Sequence, residues 1–237
     1  MFFIDPLYII IVGPAFILAI IAQVKVKGAV KKWSKVRASS GMTGAQAARR
    51  ILDAAGLSNV DVEVSQGWLS DHYDPKKKVL RLSPDIYQTP SVAAVGIAAH
   101  EAGHALQDAK NYAPMKFRNA IVPTASIGSW LAWPLIAAGF LLSIFLNFPE
   151  LIILAKVGFV LFLATVIFQI VTLPVEFNAS SRAKKLVFDL GVVGSKEEAD
   201  GVSSVLNAAA MTYVAATVAA LLQVFYLALR LGILGDD

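Results

Sequence analysis

The chain has 237 residues, of which 57% are hydrophobic and 16% charged, with a net charge of +4. A soluble globular domain carries a larger charged share and a smaller apolar one, so the composition excludes an ordinary soluble protein. There is no cysteine, which excludes a disulfide framework and a thiolate metal site and leaves His, Asp and Glu as the residues able to hold zinc.

The first apolar block, 3–24, has the length a bilayer core requires, roughly 20 residues. It carries Asp5 and no leading Lys or Arg, and no small-x-small cleavage site follows, so it reads as an uncleaved anchor. Lys25, Lys27, Lys31, Lys32, Lys35 and Arg37 follow at once. Such a cluster marks the cytoplasmic end of a span and attracts anionic lipid. No aromatic-basic interleaving accompanies it, so nucleic acid is excluded as a partner.

The polar stretch from there to about residue 120 reads as a small α+β unit. Thr43-Gly44-Ala45-Gln46 has the form of a capping box and Gly56 is a helix stop, which predicts a helix over 44–55 with Ala47, Ala48, Ile51 and Leu52 inward. Val60, Val62 and Val64 alternate with Asp61 and Glu63, the pattern of a strand with one buried face. A second strand is expected over 78–83, with Asp74-Pro75-Lys76-Lys77 as the turn between the two.

Pro90-Ser91 then opens a helix over 91–108 that contains His100-Glu101-Ala102-Gly103-His104. Residues four apart lie on one helical face, so both imidazoles can reach one metal ion, and Glu101 can reach a water beside it. That is the minimal set for zinc-assisted hydrolysis of a peptide bond. Five-residue patterns with three fixed positions also arise by chance. Here the flanks Ile97-Ala98-Ala99 and Ala105-Leu106 are apolar, histidine is otherwise almost absent, and Gly103 permits close backbone approach at the metal.

Further spans are expected within 121–148, over 151–173 and over 208–234. Positive-inside bias places Met1 and Gly235-Asp236-Asp237 outside, the turn Asn147-Phe148-Pro149-Glu150 outside, and the segments 25–120 and 174–207 in the cytoplasm. Arg182, Lys184, Lys185 and Lys196 agree with that assignment, and Lys156 can snorkel outward. The reading is thus a mainly α integral membrane protein of about four transmembrane helices with a small α+β, zincin-like cytoplasmic domain. Its parts are an anchor (1–24), the zinc-binding domain (25–120), a transmembrane hairpin (121–173), a cytoplasmic helical segment (174–207) and a last span with a short tail (208–237).

A catalytic zinc takes three protein ligands and leaves a position open. His72, Asp108, Glu176 and Asp200 are candidates for the third. The hairpin returns residue 176 to the membrane face that the motif helix has just left, which favours Glu176 at the start of a helix over 176–188, with His72 its main rival. The alternative for Glu176 is a carboxylate at a helix N-terminus, favoured there by the dipole. Asp108, one turn past His104, could orient a ligand imidazole, though the reading preferred for it is a solvated residue near the helix end.

Several stretches together resemble the YugP-type membrane zinc metallopeptidases, also called neutral zinc metallopeptidases. They are Thr43-Gly44-Ala45 with Ala48-Arg49-Arg50-Ile51-Leu52, Leu69-Ser70-Asp71-His72-Tyr73-Asp74-Pro75, Leu80-Arg81-Leu82-Ser83, the residues 98–107 around the motif, and Pro174-Val175-Glu176-Phe177-Asn178-Ala179-Ser180. A more distant similarity is to the HtpX heat-shock protease and CAAX prenyl protease families. In those relatives an aspartate four residues after the glutamate supports the first histidine; here that place holds Ser180, a weaker partner.

The expected protein is therefore a membrane-embedded endopeptidase with one zinc per chain on His100, His104 and Glu176, and with Glu101 as general base. It would act on cytoplasmic or juxtamembrane polypeptides at a bacterial cytoplasmic membrane, with oligomerisation left open. His72, Tyr73, Arg182 and Tyr213 are candidates for contact with substrate or transition state; Asn178, Ser180 and Asp108 are candidates for supporting the ligands. The strand residues 80–83 are candidates for pairing with an extended substrate. Rival readings are a metal-dependent hydrolase of a non-peptide substrate at the interface and a non-catalytic metal-binding scaffold. The scaffold requires a fourth protein ligand and leaves Glu101 without a role.

Overall fold

The computed structural model describes residues 5–67 and 70–235. The expected extracellular Met1, Asp236 and Asp237, the first span's start at Phe3, and Leu69 lie outside the described residues. The elements in chain order are α1 (Pro6–Trp33), α2 (Gly44–Ala54), β1 (Asp61–Val64), β2 (His72–Asp74), β3 (Val79–Leu82), α3 (Pro84–Gln88), α4 (Val92–Ala109), α5 (Ala113–Phe145), a 3-10 turn (Pro149–Leu151), α6 (Ile152–Asp189) and α7 (Lys196–Arg230). Among them are 4 helices long and apolar enough to cross a membrane, α1, α5, α6 with its leading turn, and α7. The protein is a mainly α membrane protein with a small sheet.

The chain forms two compact units interleaved in sequence, one of residues 1–21, 117–172 and 213–237, the other of residues 22–116 and 173–212. The first holds the most apolar helical stretches. Its α5 and α6 stretches meet through small residues: a Cβ on Gly139 would stand 2.3 Å from the Ala155 nitrogen, and one on Gly158 2.7 Å from the Ala132 oxygen. In lipid, where apolar side chains gain little by leaving their surroundings, such backbone approach is what makes helices adhere. Outward side chains such as Ile10, Ile17, Ile20 and Trp130 are exposed and apolar, as a lipid-facing surface requires. At one end Asp5 accepts a hydrogen bond from the Tyr226 hydroxyl and pairs with Arg230, which joins the start of α1 to the end of α7.

The second unit has a conventional buried core. Thr43 and Gln46 form the expected reciprocal cap, and α2 buries Ala47, Ala48, Ile51 and Leu52. Gly56, at φ +73°, ends it. The sheet has the order β1-β3-β2. Here the expected hairpin is corrected. β1 runs parallel to β3, and the hairpin partner of β3 is the short strand β2, in the register His72 with Arg81 and Asp74 with Val79. The turn chemistry at 74–77 is real, but it joins β2 to β3; Asp74 accepts from the Lys76 and Lys77 amides, and Lys78 takes the left-handed conformation at φ 54°. Val64 is exposed rather than inward, while Val60 is buried just before the strand begins.

α4 is buried along most of its length. Ser91 caps it by accepting from the Ala94 amide, and the Val92 amide is satisfied by the Val36 carbonyl. Asn111, at φ 53°, closes its far end. α6 differs from expectation: it is one uninterrupted helix that passes through Pro174, so Glu176 sits in a helix interior and not at an N-terminus. The dipole explanation for that carboxylate therefore does not apply.

Candidate metal centre

The two histidines project from one face of α4, one turn apart, with rings edge-to-face and centroids 4.7 Å apart. Glu176 arrives from α6, 3% exposed, with Oε2 at 3.2 Å from His100 Nε2 and 3.7 Å from His104 Nε2. Among the described residues these form the one group of three His, Asp or Glu side chains whose ligand atoms lie together, all within 4.8 Å. Tetrahedral zinc with bonds of about 2.0–2.1 Å sets its ligand atoms roughly 3.3 Å apart, a spacing that the two separations to Glu176 approach. The donor chemistry, two imidazoles and a carboxylate without sulfur, suits it as well.

The approach of the two helices is set by Gly103. A Cβ there would stand 2.8 Å from the Ala179 carbonyl oxygen. The expected close approach is therefore real, but it is of the α6 backbone rather than of the metal position. It brings the α6 backbone against α4 between the two ligand-bearing turns.

Each imidazole is held at its far nitrogen. Ser180 Oγ lies 3.1 Å from His100 Nδ1. His104 Nδ1 lies 3.0 Å from Gln107 Oε1, and Gln107 Nε2 donates to the Val175 carbonyl at 2.8 Å and to Asn178 Oδ1 at 3.1 Å. Both Nε2 atoms are thereby turned toward Glu176. Burial alone would push the His104 pKa down, but the hydrogen bond to Glu176 and the charge of Glu101 outweigh it and raise it. Gln107 was not singled out from the sequence. Its position three residues past His104, on the same helical face, is the signal that could have found it.

The other sequence candidates divide. Glu101 is half-buried beside His100, and its carboxylate makes no hydrogen bond among the described residues, though its charge acts on His104. Asn178 accepts from both Gln107 Nε2 and Arg182 Nε, the latter at 2.7 Å. Asp108 does not touch either imidazole; it accepts from the Tyr73 hydroxyl at 2.7 Å and from Lys78 Nζ, tying the β2–β3 hairpin to the end of α4. Tyr73 is thus engaged, and its pKa is driven up first by burial and then by Asp108. His72 is exposed on β2 with Nδ1 against the Ser70 carbonyl, and it is not in the ligand group. Asp200 is exposed on α7 and also outside that group. Tyr213 lies on α7 in the other compact unit, where its carbonyl accepts from Thr217. β3, expected to receive substrate, is the central strand with both neighbours in place, so the open edges belong to β1 and β2.

A family described as "Putative neutral zinc metallopeptidase" matches residues 8–232. The "Putative membrane protease YugP" of Bacillus subtilis (strain 168) is 47% identical over 217 residues, which cover 92% of this chain and 93% of that protein. No solved structure matches. The chain belongs to the neutral zinc metallopeptidase family and is a membrane protein.

Proposed function

We propose that the protein is a zinc-dependent endopeptidase whose centre consists of His100, His104 and Glu176, one zinc per chain, with Glu101 as general base. The observation that carries this is the convergence of three buried or half-buried ligand side chains with an uncommitted carboxylate one residue from the first histidine. Three ligands from the protein, with no fourth among the described residues, leave room for water and substrate, which favours catalysis over a closed structural site.

Bound there, zinc would polarise the scissile carbonyl and make a nearby water more acidic. Glu101 takes a proton from the attacking water and returns it to the leaving nitrogen, so the amine departs neutral. Glu176 supplies the negative charge that a dication needs in a buried site, and the helix-to-helix contact at Gly103 holds it in place. An extended polypeptide can add along an open sheet edge, and β2 is the edge strand tied to α4 through Tyr73 and Asp108. Substrates are cytoplasmic or juxtamembrane polypeptides. The run of basic residues from Lys25 to Arg37 and those from Arg182 to Lys196 support a cytoplasmic centre with both termini outside, and the relative in Bacillus subtilis supports a bacterial membrane.

The test is Glu101→Gln in the purified full-length protein in detergent. Peptide hydrolysis should fall by about 100-fold or more while zinc content stays at the wild-type level. A zinc-loaded variant with full activity would remove Glu101 from this role.

A further inference from the structure

Gln107 is fully buried and makes three hydrogen bonds that leave its orientation no freedom. The Val175 carbonyl can only accept, so the Gln107 atom facing it must be the amide nitrogen. That leaves Oε1 toward His104, and Oε1 has no proton to give. The donor in that pair must therefore be His104 Nδ1. A neutral imidazole with its proton on Nδ1 presents its lone pair at Nε2, and Nε2 is the atom that stands 3.7 Å from Glu176.

We propose that Gln107 is a positioning residue that fixes the Nδ1–H tautomer of His104 and so commits its Nε2 to the metal. The proposal rests on the zinc reading above. Its logic runs outward through a chain of one-way bonds. Asn178 Oδ1 accepts from Gln107 Nε2 and from Arg182 Nε, so Arg182 anchors the far end. Arg182, a sequence candidate for substrate contact, has its Nε committed to this chain. His100 is treated differently. Its Nδ1 meets the Ser180 hydroxyl, which can donate or accept, so that contact does not dictate a tautomer. Support of the two ligands is thus unequal, with Gln107 the more demanding partner.

A purely structural role is the competing account. Gln107 would then matter only as a bolt from α4 to α6, through its two donated bonds. Two substitutions separate these. Gln107→Leu removes every bond. Gln107→Glu keeps an acceptor for Nδ1–H but gives up both donated bonds. Zinc affinity of the full-length protein, measured by chelator competition, should fall about 10- to 100-fold in Q107L. Q107E should stay within a few-fold of wild type, and Ser180→Ala should cost less than Q107L. Equal losses in Q107L and Q107E, or no loss in Q107L, overturn the proposal. Nitrogen-15 NMR of ring-labelled histidine gives a readout independent of metal. The chain has 3 histidines, and His72→Ala assigns one of them. In the metal-free protein at alkaline pH, His104 should carry its proton on Nδ1, and a proton on Nε2 overturns the proposal. A protein that shows the Nδ1–H form yet binds no zinc would keep the tautomer assignment and defeat the zinc reading instead.

Discussion

Glu176 and His72 were rivals for one place, and their surroundings distinguish them. Glu176 is buried between two imidazoles, whereas His72 is exposed at a sheet edge with its Nδ1 on a local carbonyl. A buried carboxylate with no cation beside it is costly, so its natural partner is a dication or protonated imidazoles. Glu176→Ala should therefore strip most zinc from the purified protein, and His72→Ala should leave zinc content unchanged. Metal analysis after desalting checks both, and the reverse pattern would return His72 to the ligand set. The grouping of the two histidines with Glu176 was legible in the sequence, because helical spacing and the order of the spans act through chain order. Asp108 was read two ways, as a support for a ligand imidazole or as a solvated residue near the helix end, and it touches neither imidazole. Sequence spacing placed it one turn past His104, but its hydrogen bonds are decided by Tyr73 and Lys78 from a strand pair that spacing does not locate. Spacing could have paired Gln107 with His104, but its bonds to Val175 and Asn178, 68 and 71 residues away, are not visible in that spacing.

The elements show where local pattern is a good guide and where it is not. The cap at Thr43, the buried face of α2 and the start of α4 at Ser91 follow from short-range chemistry, and they stand as read. The sheet does not, because alternation identifies a strand but not its neighbour. Three-residue β2 is too short to show a period, and its insertion between β1 and β3 in sequence turns the expected hairpin into a parallel pair. Pro174 misled in the other direction. A proline usually marks a helix boundary because it removes a donor, yet α6 continues through it to Asp189. The contact between α4 and α6 gives the sharpest test at this scale. Gly103→Ala places a methyl 2.8 Å from a backbone oxygen on α6. Overpacking of this kind costs about 1–3 kcal/mol. The variant should unfold at lower temperature and hold zinc more weakly, as measured by thermal melts with and without chelator. A melt and zinc affinity equal to wild type would show that α6 yields at no cost.

At the scale of the whole molecule, composition alone revealed the membrane class, and the 4 long apolar helices agree with it. Orientation is a separate matter, argued from charge, and it has a direct test because the chain contains no cysteine. Single cysteines at Glu150, in the 3-10 turn, and at Lys76, in the exposed β2–β3 turn, should report opposite sides. An impermeant maleimide should label E150C in intact cells and K76C only after permeabilisation. The opposite pattern would invert the protein and its substrates together.

The pair of positions between His100-Glu101 and His104 is usually written as a wildcard. In this fold neither is free. Ala102 is completely buried and Gly103 has a carbonyl oxygen where a side chain would begin. The pattern the molecule enforces is therefore closer to five specified letters than to three. A chain with the same two histidines and glutamate but bulky residues between them could form the helix, and it could not admit α6 and the Glu176 that α6 carries. The unnamed letters of the motif record the second helix, and a search that weighed them would separate half-sites from whole ones.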